Sequence, residues 1–230
     1  AEAGATRFTT DHDGYLRRID GLMFGENPDQ GVVRGDTFLH PGLRLALDFP
    51  RGWPVENSPA AVVARQPDGK SMMVLEPVEQ PQGRTLQDVA LLGMQRAGFR
   101  ALSGRETSIN GMSAFVGTYQ GTLGETRVLV RAAHIRQDRS VYLLAGVAPP
   151  DQFDRQEPAF SRAIDSFRSL TRGEAEDIRP NRIHIYTARA GDTWPSIAER
   201  EGHSLVKAST LAIMNGRTPE DPPRPGERLK

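Results

Sequence analysis

The sequence predicts an α+β protein in two parts: an antiparallel sheet with flanking helices over residues 36–170, then a small βααβ unit over residues 183–230. Three observations predict it. Apolar and polar residues alternate in several runs of strand length. Two stripes of helical spacing interrupt those runs, giving the order strands, helix, three strands, helix. A polar, charged stretch, "TRGEAEDIRPNR" (171–182), then reads as a linker to a segment with its own strand–helix–helix–strand order.

Taken from the N-terminus, residues 1–14 are small and polar, the pattern of a frayed end. "YLRRIDGLMFG" follows, with Tyr15, Leu16, Ile19, Leu22 and Met23 at helical spacing until Gly25 and "ENPDQG" break it. Apolar side chains on so short a piece need a partner surface, so residues 1–35 read as the tail of an upstream domain plus a linker. In "FLHPGLRLALDFPRGW", Leu43, Leu45, Leu47 and Phe49 alternate with Arg44, Ala46 and Asp48, as in a half-buried strand. "PDG" (67–69) joins "AAVVARQ" to "KSMMVLEPV" as a hairpin. Thr85 caps a helix running to about Ala97, with Leu86, Val89, Ala90, Leu92 and Met94 on its apolar side. Asn110-Gly111 is the strongest turn signal and leads into the meander "MSAFVGTYQGT", "TRVLVRAAHIRQ", "SVYLLAGVA". Pro158 fits the first turn of a helix whose stripe is Phe160, Ala163, Ile164 and Phe167.

Composition excludes several classes. The 29 basic and 29 acidic residues cancel, which leaves no polycation for nucleic acid. There is no cysteine, hence no disulfide, thiolate metal site or thiol nucleophile. No apolar run is long enough to span a membrane. Ser103 and Ser113 lack a nucleophile elbow, and "GTYQGTLGE" lacks the lysine of a phosphate loop and reads as a hairpin. Glu76 and Glu79 flank Pro77 in a predicted loop, where solvation explains them.

In the last segment, "RIHIYT" reads as a strand with Ile183, Ile185 and Thr187 on one face. Gly191 permits the sharp turn after it, Asp192 or Thr193 caps the next helix, and Trp194, Ile197 and Ala198 face inward at i, i+3 and i+4. "STLAIMNG" supplies a second helix with Leu211 and Met214 inward, and "PRPGERLK" a return strand. The ordered set "YTARAGDTWPSIAEREG", "LAIMNG" and "PGERL" resembles the lysin motif (LysM). That resemblance implies a shallow groove for N-acetylglucosamine glycans formed by Gly191, Asp192, Thr193, Asn215, Gly216 and Arg217.

The stretch from "YLRRIDGLMFGENPDQGVVRGDTFLHP" to "ARQPDG" resembles the region after the catalytic domain of bacterial zinc metallopeptidases of the prenyl-protease type, peptidase family M forty-eight. The middle segment, opened by "FPRGW", resembles the PsbP/Mog-like fold, a docking module that brings no shared catalytic residue. An enzyme of that type needs two histidines one turn apart on a helix and a glutamate between them. His12, His40, His134, His184 and His203 are scattered and read as solvent-facing or singly bonded. The resemblance therefore implies a non-catalytic accessory region of an exported, periplasmic zinc protease. Its partners are the upstream protease domain and protein substrates or envelope components, it holds no cofactor itself, and zinc is expected in the upstream domain. The alternative is a peptidoglycan-binding module.

Overall fold

The computed structural model describes residues 12–25, 27–79, 84–202 and 206–230. Within them the chain forms two units, 27–179 and a smaller one made of 12–25 with 180–230. Helix α1 (His12–Ile19) belongs to the smaller unit.

The larger unit is α+β. A 3-10 turn at Pro28–Gln30 leads into β1 (Val32–Arg34), β2 (Thr37–His40) and β3 (Leu45–Asp48), which pair antiparallel in sequence order. The hairpin β4 (Val55–Asn57) and β5 (Val62–Arg65) continues into β6 (Met72–Val78). Helix α2 (Leu86–Arg96) starts at Thr85, whose hydroxyl and the Asp88 side chain form a reciprocal capping box. The meander β7 (Arg100–Ile109), β8 (Met112–Leu123), β9 (Thr126–Gln137) and β10 (Ser140–Ala148) follows, then α3 (Pro150–Ser166), β11 (Arg168–Ser169) and α4 (Arg172–Asp177). Seven strands form one sheet in the order β4-β5-β6-β10-β9-β8-β7, and four form a second, β1-β2-β3-β11.

Strand periodicity places the layers. On one face of the large sheet, Ala64, Met73, Leu75, Ala133, Ile135 and Leu144 meet Phe38, Leu45 and Leu47 of the small sheet and Phe153, Phe160 and Ile164 of α3. The opposite face packs Phe115, Tyr119, Val130 and Val141 under α2. Gly146 sits where β10 passes α3; a methyl there would collide with the Phe160 ring.

Five expectations change. β3 is buried on both faces, because Ala46 packs with Val32, Leu170 and Ile178 in a cluster beyond the small sheet. The meander has four strands: β7 lacks alternation because nearly every residue on it is exposed, so no apolar signal announces it. Helix α3 begins at Pro150, and Pro158 lies in its interior rather than its first turn. The expected linker holds α4, capped by Thr171 and Glu174. Glu76 lies in β6, not in a loop.

In the smaller unit, β12 (Tyr186–Thr187) pairs antiparallel with β13 (Arg228–Leu229), and α5 (Trp194–Arg200) and α6 (Ala208–Met214) come between them. Tyr186 and Ala188 point into the core and Thr187 is exposed, a register opposite to the expected one. Trp194, Ile197 and Ala198 are buried as expected, while Ala212 takes the innermost place on α6 and Leu211 and Met214 are half-buried. The α1 segment is built into this unit. Leu16 is fully buried, Gly21 donates to Ile183 O and Ile183 to Leu22 O (2.9 and 2.8 Å), and Asp13 lies 3.5 Å from Arg228.

Candidate functional site

The six residues of the implied groove sit on two turns, one between β12 and α5 and one after α6. Gly191 (φ 87°) and Gly216 (φ 70°) adopt left-handed backbone and are open to solvent. Between and around them the polar side chains bond inward. Asp192 Oδ2 accepts from the Arg189 N–H and the Tyr186 hydroxyl, both at 2.7 Å, and Oδ1 lies 3.3 Å from Arg200 Nη2. The Arg189 amide, the Tyr186 hydroxyl and the Arg200 charge hold the Asp192 carboxyl below the usual carboxylate range. Arg200 Nη2 also donates to Tyr186 Oη at 2.6 Å.

Thr193 caps α5: its hydroxyl accepts from Ser196 N, and Ser196 Oγ accepts from Thr193 N at 3.0 Å. The second turn is equally committed. Asn215 Nδ2 donates to Leu211 O and Lys230 O, and its Oδ1 accepts from Lys230 N at 2.9 Å, so one amide side chain mimics a strand partner for the C-terminal residue. Arg217 donates to Asp221 Oδ2 at 2.7 Å and to Glu227 Oε1 at 2.9 Å. Asp221 ties the two turns together, because its carbonyl also accepts from Trp194 Nε1 at 2.7 Å.

The structure therefore brings the predicted residues into one region and spends their side chains on holding it. What remains for a ligand is the open backbone of the two glycine turns. A cavity among the described residues of this unit lies elsewhere. It encloses about 290 Å³ between Phe24, Tyr186, Ile197, Leu211, Met214 and Leu229, and none of the six predicted residues lines it. Phe24 comes from the segment that the sequence reading assigned to an upstream body, so no local pattern revealed this cavity.

Among the described residues no three His, Asp or Glu side chains group as metal ligands would. The side chain of His12 and all of His203 lie outside the described residues. His134 departs from the expected solvent-facing or singly bonded state. It is 1% exposed, cross-strand to Phe115 and Leu143, and its Nδ1 has no hydrogen-bond partner. Burial pushes its pKa down to about 4. No described helix is long and apolar enough to cross a membrane.

No known family profile matches the chain, and no curated protein matches its sequence. Solved structures that share part of its course include the following three. PsbP (CyanoP) from Synechocystis sp. PCC 6803 is 16% identical with a TM-score of 0.46, over 64% of this chain and 99% of that one. LpqN of Mycobacterium tuberculosis, described as involved in cell envelope biogenesis, is 15% identical with a TM-score of 0.41, over 70% and 97%. A Pseudomonas aeruginosa protein of unknown function, PA94, is 18% identical with a TM-score of 0.39, over 53% and 88%.

Proposed function

We propose that this chain is a non-catalytic accessory region of an exported zinc-dependent metallopeptidase and positions substrates or envelope partners for an upstream catalytic domain. The parentage rests on the phrase "GVVRGDTFLHP" and the sequence around it. The observation that favours positioning over glycan recognition is the bonding at the two turns. Asp192, Thr193, Asn215 and Arg217 are the side chains that a sugar would use, and each already has a partner inside the unit. Freeing any of them for a ligand leaves its protein partner unpaired.

The test uses the longer protein. Removing residues 12–230 leaves zinc content unchanged and alters which natural substrates are cleaved, or where the protease resides. Cleavage of every substrate at the parental rate in the cell overturns the reading. So does an upstream reading frame without paired histidines one helical turn apart.

A second reading, peptidoglycan binding through a LysM-like module, has one observation in its favour: the space above Gly191 and Gly216 is open. Titration with a soluble N-acetylglucosamine tetramer separates the two. Saturable shifts of the amides of Gly191, Thr193 and Gly216 establish the glycan reading, and unmoved amides remove it.

A further inference from the structure

A cavity of about 370 Å³ opens in the larger unit where the small sheet meets the β4–β6 end of the large one. Strand alternation decides what faces it. Phe38 and His40 lie on the same side of β2, their rings edge to face at 6.3 Å. Leu45, Val62, Leu75 and Tyr142 form a buried floor. The mouth is framed by Leu43, which is 46% exposed, and by the exposed turn Ser58–Pro59–Ala60. This volume lies in the range of small-ligand pockets.

Asn57, whose Oδ1 is buried without a hydrogen-bond partner among the described residues, lines the cavity together with His40 and Tyr142. His40 Nδ1 accepts from Leu43 N at 3.2 Å, which assigns the ring proton of the neutral form to Nε2. That Nε2–H has no partner among the described residues. Burial lowers the His40 pKa, partly offset by a backbone hydrogen bond and then by the Asp29 charge, and so favours the uncharged ring. Burial likewise raises the pKa of Tyr142 and keeps its phenol neutral. No lysine or arginine lines the cavity, so an anion finds no counter-charge. Two carboxylates border the cavity, Asp29, which is exposed, and Glu76, which is half-buried, and neither belongs to the floor of Leu45, Val62, Leu75 and Tyr142. A cation would have to leave water for an apolar floor with no carboxylate on it.

We propose that this cavity is a binding site for a small uncharged organic molecule with an apolar ring or branched body and one hydrogen-bond acceptor directed at His40 Nε2. The site is separate from the two glycine turns and does not depend on the proposed protease parentage.

Three ligands on one benzene ring test it against the whole chain by NMR: benzamide, benzoate and benzylammonium. Benzamide shifts the ring resonances of His40 and Tyr142 and the methyls of Val62 in a saturable way. Benzoate and benzylammonium bind at least ~10-fold more weakly, as expected when a charge must be desolvated against the apolar floor. His40→Phe keeps the ring and the fold but removes the donor, and weakens benzamide binding roughly 3- to 10-fold. Leu43→Trp, at an exposed position, plugs the mouth and abolishes the shifts. Thermal melts of both variants report that the fold is retained. Benzoate binding as tightly as benzamide overturns the proposal, as does an unaltered affinity in His40→Phe. Cavity resonances that stay unmoved up to the solubility limit of benzamide overturn it too.

Discussion

Trp194 shows how one side chain can carry two duties of which the sequence displays one. Its i, i+3, i+4 relation to Ile197 and Ala198 marks it as core, and it is 1% exposed. The bond from its indole to Asp221 O, which ties the two turns, spans 27 residues and leaves no local signature. Trp194→Ala should destabilise the smaller unit by about 3–5 kcal/mol, seen as an early unfolding transition in a urea titration. His134 was equally opaque, since a histidine within "RAAHIRQ" looks polar until Phe115 and Leu143 close over it. Its pKa, about 4 when folded, lies below the 6.5 of a free histidine. Above pH 6.5 neither state holds the proton and stability is complete. Between 6.5 and 4 the unfolded chain takes up a proton that the folded chain refuses, and stability falls by roughly 1.4 kcal/mol per pH unit. In His134→Leu that part of the slope disappears, which unfolding at pH 7, 6 and 5 checks.

Elements were legible wherever a side chain pattern had a buried face to report. The capped helix α2, the Asn110-Gly111 hairpin with φ of 48° and 82°, and the β8–β10 meander all fall where the sequence places them. Strand β7 and helix α4 did not, because both are almost wholly exposed and their composition is set by solvent rather than by packing. β7 is also the edge of a seven-stranded sheet, guarded by Arg100, Arg105 and a register shift between Ala101 and Ser103. The double substitution Arg100→Thr, Arg105→Val should leave the melting temperature nearly unchanged yet promote self-association, measured by light scattering. In α3, Pro158 interrupts the hydrogen-bond ladder on an exposed face. Pro158→Ala should stabilise the larger unit by about 1–3 kcal/mol, less than the full helix-breaking cost because the unfolded chain also gains freedom. A fall in melting temperature would count against that.

For the molecule as a whole, the α+β class was legible and the parsing of the chain was not. Alternation and spacing are local, whereas the partnership of residues 12–25 with residues 180–230 joins segments more than a hundred and fifty positions apart. The same distance explains the candidate site: both turns were recognisable as turns, but their closure through Asp221, Glu227 and Lys230 was not. The smaller unit is thus discontinuous, with the larger one inserted between its two halves. A fragment beginning at Ile183 therefore lacks the Leu16 side chain and the backbone partners of Ile183, and should melt below the intact chain. The arrangement also has a mechanical meaning. Tension applied at His12 and Lys230 runs first through the pairing of residues 21–24 with 181–183 and the Asp13–Arg228 contact. Until that clasp gives way, residues 26–179 are a slack loop outside the line of force, and an optical trap should record the short extension of the clasp before the long one of the sheet.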